Sequence, residues 1–149
     1  MTPQDDNFSG PALDPKWTFY PTFPGGNGSY SFVSNPGNIT LAVPTDANLS
    51  SLYDLGTAIS LRQPQVAPQF LVETGLTESG IFINGQESGV MVSKLGDPTT
   101  FVMLTKKMVG GVSQIHALHS SAGVLIGQIS VNYAPDNNIV LRIVRHGGL

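Results

Sequence analysis

Ten acidic side chains are available for acid–base chemistry: Asp5, Asp6, Asp14, Asp46, Asp54, Glu73, Glu78, Glu87, Asp97 and Asp136. Glycoside hydrolysis needs two carboxyl groups facing one bond, roughly 5–9.5 Å apart. On an extended strand that calls for alternate positions, because residues i and i+2 share a face. No Glu-x-Asp-x-Glu run occurs. Glu73 and Glu78 fall on opposite faces of one extended strand, and Gly75 stands between them. The expectation is a set of solvated strand-end carboxylates and no enzyme. His116 and His119 are three apart, which places them on opposite faces of a strand and denies them a shared metal. His146 lies near the end, and all three histidines are expected at the surface or at strand ends. There is no Gly-x-Ser-x-Gly elbow and no triad order. Cysteine is absent, which removes thiolate catalysis, thiolate metal sites and disulfides together.

Two kinds of binding chemistry remain. Hard cations want several oxygens, and Asp5 and Asp6 beside Asn7 offer them, so a calcium ion at Asp5 and Asp6 is one expectation. Sugars want flat aromatic faces beside planar polar groups. Trp17, Phe19, Tyr20 and Phe23 lie within seven positions, followed by Tyr30. Trp17 and Phe19 share a strand face and suit core packing, whereas Tyr20 points the other way. Tyr20, Phe23, Tyr30 and Tyr53 are the candidate stacking rings, with Arg62, Gln63, Asn84 and Gln86 as candidate polar contacts. Asn7, Asn27, Asn38 and Asn48 each open an Asn-x-Ser/Thr glycosylation signal.

The elements that must position these residues are strands. Short runs rich in Val, Ile, Phe, Thr and Ser are cut by Gly, Pro, Asn and Asp. The pattern predicts strands near 17–20, 29–34, 38–43, 58–63, 69–75, 89–94, 100–106, 112–119, 124–131 and 138–145. Asn138–Arg145 alternates, with Ile139, Leu141 and Ile143 on one face. Val124–Val131 is partly apolar on both faces and is expected to be covered on both sides. One short helical turn over Thr45–Asp54, capped by Thr45 or Asp46, is the sole helical candidate, and Pro21–Gly28 reads as a loop. Ten short strands at regular spacing point to a sandwich or barrel.

The chain has 149 residues, of which 11% are charged and 40% are hydrophobic. No linker or repeat divides it, so a single domain over 1–149 is expected. A net charge of −3 argues against nucleic acid, which needs a basic face. No window reaches the ~18 apolar residues of a membrane span.

The opening Asp5-Asp6-Asn7-Phe8-Ser9-Gly10, followed by Leu13-Asp14-Pro15-Lys16-Trp17, resembles the entry strand of concanavalin A-like jelly-roll domains. Domains of this kind accompany bacterial and fungal glycoside hydrolases, including the C-terminal domains of β-xylosidase-type enzymes. Pro68–Thr74, Gln86–Val92 and Leu141–Gly147 resemble three later strands of the family, in the family's order. The resemblance implies a two-sheet antiparallel jelly-roll sandwich, a structural calcium near the first strand, and a carbohydrate-binding, lectin-like role outside the cell. The family continues with further closing strands, whereas here the chain stops at Leu149. Strand Asn138–Arg145 is therefore expected to lack a neighbour, which predicts a homo-oligomer or assembly by strand pairing. A structural protein that assembles through its sheet edges, into a filament or a virion or cell-surface layer, is the alternative to a polysaccharide- or oligosaccharide-binding module.

Overall fold

The computed structural model describes residues 6–20, 22–23, 26–33, 37–44, 58–64, 69–77, 84–133 and 138–146. All regular structure among them is β, and every strand pairing is antiparallel. The candidate helix at Thr45–Asp54 lies outside the described residues. The chain divides into two compact units, Met1–Val66 and Ala67–Leu149.

The first unit holds three short pairs. β1 (Thr18–Tyr20) pairs with β6 (Ser60–Arg62), and β4 (Ser29–Ser31) with β5 (Thr40–Ala42). β2 (Thr22–Phe23) pairs with β3 (Gly26–Asn27). Within the stretch 21–28, expected to be loop, Thr22 is therefore paired with Asn27 and Phe23 with Gly26. Phe8, Trp17, Phe19, Tyr30 and Phe32 form a chain of rings with centroids 4.8–6.3 Å apart. Trp17 and Phe19, placed on one face by alternation, join the same chain.

The second unit contains the long strands. β8 (Glu87–Lys94), β9 (Asp97–Val109), β10 (Val112–Ser121) and β11 (Val124–Asn132) form one sheet in the order β11-β10-β9-β8. β7 (Phe70–Thr77) and β12 (Asn138–Arg145) form a two-stranded ribbon, paired over all eight residues of β12, that lies against β8 and β9. Glycines at Gly110 and Gly111, with φ of 57° and 81°, build the two-residue turn between β9 and β10. A type I′ turn matches the strand twist over two residues and requires positive φ at both.

Register fixes what shares a face. On β12, Ile139 and Leu141 are buried and Ile143 half-buried, while Asn138, Val140, Arg142 and Val144 face outward, as the alternation predicts. Phe101, Met103 and Leu118 are buried on one face of the sheet, joined in register across β9 and β10. These five are the buried apolar side chains among the described residues. β11 departs from expectation, because all nine of its residues are exposed rather than covered on both sides. The reason is position. β11 is the edge strand, and β10 is its sole partner among the described residues.

Candidate functional site

The face that carries Phe101, Met103 and Leu118 turns polar toward one end. Register aligns Glu87 with Lys107, Lys107 with Gln114, and Gln114 with Asn132 in one row across the four strands. The next row is Gly89, Thr105, His116 and Ser130, and Gln128 stands beside Leu118 in the row after. Neighbouring strands lie roughly 4.8 Å apart. A carboxylate, an ammonium group, an imidazole, hydroxyls and amides thus occupy one patch.

Glu87 is the hub. Its Oε1 accepts a hydrogen bond from Thr105 Oγ1 at 2.5 Å and faces His116 Nδ1 at 3.3 Å, while Lys107 Nζ is 3.4 Å from Oε2. The His116 side chain is 7% exposed, and Gln128 Nε2 lies 3.0 Å from its Nε2. An ionised carboxylate only accepts, so the imidazole proton sits on Nδ1 and points at Glu87. Nε2 then takes a hydrogen bond from the Gln128 amide. Along the outer row Gln114 Nε2 donates to Asn132 Oδ1 at 3.0 Å. Gly89 makes room for this arrangement. A Cβ there would strike the Leu104 carbonyl oxygen and approach Thr105 Cα to 2.6 Å, displacing the Thr105 hydroxyl that holds Glu87.

His116 therefore corrects the expectation of a surface histidine. It is buried because it sits between two strands, in mid-sheet, with both ring nitrogens bonded. His119 is exposed on the opposite face, as the three-residue spacing requires. Glu87 opens its strand as expected, but as the centre of a bonded cluster rather than as a solvated carboxylate. Among the described residues no second carboxylate joins it. β7 runs through Gly75 unbroken, and Glu73 on its outer face takes both Nε (2.7 Å) and Nη2 (2.5 Å) of Arg142. Glu78 lies outside the described residues.

The residues singled out for sugar stacking fall in the first unit. Tyr20 is 38% exposed, with the Arg62 guanidinium 4.0 Å from its ring centroid. That contact follows from register, since Tyr20 and Arg62 stand diagonally on one face of the β1–β6 pair. Tyr30 is 39% exposed and meets Phe19 and Phe32 edge-on. Phe19 and Tyr20 point to opposite sides of β1, so the structure does not bring Tyr20 and Tyr30 onto one platform. Phe23 contributes backbone pairing to β2, and Tyr53 lies outside the described residues.

Asp6 is bonded within the chain: Oδ2 accepts from Trp17 Nε1 at 3.0 Å and lies 3.8 Å from Lys16 Nζ, and Oδ1 accepts from the Phe8 backbone at 2.8 Å. These bonds tie the opening segment to Trp17. Asp5 lies outside the described residues. Among the described residues no three His, Asp or Glu side chains converge to hold a metal. Nor is any helix among them long and apolar enough to cross a membrane.

The polar patch was hidden from sequence inspection because its members come from four strands. Glu87 and His116 are 29 positions apart. The available signal was local: Thr105, Lys107, Gln114 and His116 occupy positions that continue the apolar alternation of Phe101, Met103 and Leu118. Compared with known proteins, the chain matches no protein-family model, no curated protein and no solved structure.

Proposed function

We propose that the protein is a non-catalytic, lectin-like carbohydrate-binding module that acts outside the cell on a polysaccharide or oligosaccharide. The observation that carries this reading is the row Glu87–Lys107–Gln114–Asn132, with Gln128 and Ser130 beside it. Saccharide hydroxyls are both donors and acceptors, and amides and charged groups fixed on a rigid sheet meet both needs without reorganising. One carboxylate, engaged by three donors, suits orienting a ligand rather than cleaving a glycosidic bond, which takes two. The antiparallel all-β architecture and the four ordered segments that resemble concanavalin A-like domains support the same reading. Tyr20 and Tyr30 are the rings available for stacking in the first unit.

The test is a glycan array followed by calorimetry with a neutral oligosaccharide, with and without calcium because of Asp5 and Asp6. Binding is expected to be weak, and Asn132→Ala or Gln114→Ala is expected to reduce it about three- to tenfold, the worth of one hydrogen bond. No array signal above background in either buffer overturns the reading. A second reading, assembly through sheet edges, is favoured by the uncovered strand β11.

A further inference from the structure

We propose that Gln128 contacts the ligand with whichever amide atom the proton state of His116 leaves outward. The patch then prefers neutral saccharides when the imidazole is neutral and carboxylate-bearing saccharides when it is protonated. For the class of ligand this rests on the carbohydrate reading above.

The geometry is a line of three groups on three strands. Glu87 Oε1, His116 and Gln128 Nε2 follow one another at 3.3 and 3.0 Å. With Nδ1–H directed at the carboxylate, Nε2 offers a lone pair and selects the amide nitrogen of Gln128 as its partner. The amide is thereby oriented with its nitrogen inward. Its Oε1, on an exposed residue of the edge strand, faces away from the ring as a hydrogen-bond acceptor. That atom suits the hydroxyl donors of a neutral sugar.

A proton on Nε2 reverses the demand. Two N–H groups cannot face one another, so the amide turns by half a rotation and Oε1 accepts from Nε2–H. The terminal amide torsion is soft, and an exposed residue has room to turn. The NH2 group now points outward as a donor. Nδ1–H keeps its bond to Glu87 throughout.

Charge acts in the same direction. The charged groups on this face around His116 are Glu87 from β8 and Lys107 from β9, which balance one another. On β10 its same-face neighbours are Gln114, Leu118 and Ser120, and β11 carries no ionisable side chain. Lys106 lies on the opposite face of β9, Glu73 and Arg142 pair with each other on the outer face of the ribbon, and Arg145, exposed at the last position of β12, follows Ile139, Leu141 and Ile143 on its inner face. Protonation therefore gives the patch one net positive charge together with two outward N–H donors, the combination that recognises a carboxylate.

The test pairs spectroscopy with binding. Nitrogen-15 NMR of the His116 ring through an acid titration should show Nδ1 protonated and Nε2 bare at the alkaline end, with a Gln128 side-chain proton coupled across to it; protonation of Nε2 should remove that coupling. Nε2 protonated at the alkaline end overturns the proposal. Calorimetry with xylohexaose and with a galacturonic acid hexamer should show the preference between them move at least tenfold toward the acidic sugar on acidification. Gln128→Met, at an exposed position, should fold normally and lose that movement. An unchanged preference, or one that Gln128→Met retains, overturns the proposal. If neither sugar binds at either pH, the carbohydrate reading falls, and the amide switch is then decided by the NMR result alone.

Discussion

At the scale of single residues, the polar patch is held together by Glu87. Its carboxylate is the shared acceptor for the Thr105 hydroxyl, the His116 Nδ1–H and the Lys107 ammonium. Removing it strands a donor on a ring that is 7% exposed. A buried donor without a partner costs roughly 1–3 kcal/mol, whereas a replacement that still accepts a hydrogen bond costs less. Glu87→Ala should therefore lower unfolding free energy by about 1–3 kcal/mol. Glu87→Gln, which keeps one carbonyl oxygen for Nδ1–H, should lose under half as much. Urea denaturation followed by circular dichroism measures both. Equal losses for the two variants would mean that the Nδ1 bond contributes little.

At the scale of elements, the turn from β8 into β9 shows how side chains fix a register. Asp97 Oδ1 accepts from the Thr99 backbone at 3.1 Å and from its hydroxyl at 2.6 Å, and Oδ2 accepts from the Thr100 hydroxyl at 2.7 Å. Thr100 Oγ1 in turn accepts from Ala122 N at 2.9 Å, in the turn between β10 and β11. Asp97 thus orders two threonines that seat a second hairpin. The Thr99 hydroxyl, and after it that of Thr100, hold the Asp97 carboxyl below its usual value. A carboxylate whose folded value is depressed stabilises the fold above its unfolded value, about 3.9, and loses that contribution as pH falls through the folded value. Asp97→Asn should melt lower than the wild type at about pH 6, and the gap should close as pH falls below about 4. A gap that stays constant down to about pH 2 counts against this role. The strands themselves were largely legible in the sequence. Alternation marked Asn138–Arg145 at its observed bounds, because one face of β12 is buried and the other is wet. The same pattern marked the strand at Val124–Val131, found as β11, but not that both its faces are exposed, and it read the two-rung pairing of β2 with β3 as loop. The patch itself was illegible for a different reason. Side-chain type is local, but the convergence of Glu87, His116 and Gln128 exists only once four strands are in register.

At the scale of the whole molecule, the sheet edges decide how copies meet. An open edge templates pairing with another chain, and charged side chains are the usual protection. β8 carries Glu87 and Lys94, β7 carries Glu73, and β12 carries Arg142 and Arg145. β11 carries no charge and no proline over nine residues, and Val124, Ile126, Ile129 and Val131 are each more than half exposed. The edge expected from the sequence to seek a partner, that of Asn138–Arg145, is paired to β7 along its length. If strand pairing drives assembly, β11 is the strand that joins. Antiparallel pairing of two copies centred on Gln128 would set Ile129 of one beside Gly127 of the other, where no atom lies within 4 Å of a Cβ position. It would also set Val131 beside Leu125, with no like charges brought together. A single strand pair buries less than the ~1,200 Å² at the low end of stable interfaces. The expected association is therefore reversible and concentration-dependent, with a dissociation constant in the micromolar range or weaker. Sedimentation equilibrium should show mass rising above 15.8 kDa with concentration. Ile129→Lys should return it to the monomer without lowering the melting temperature, since Ile129 is 65% exposed. A 15.8 kDa species that holds its mass up to about 1 mM would show that the β11 edge does not join copies.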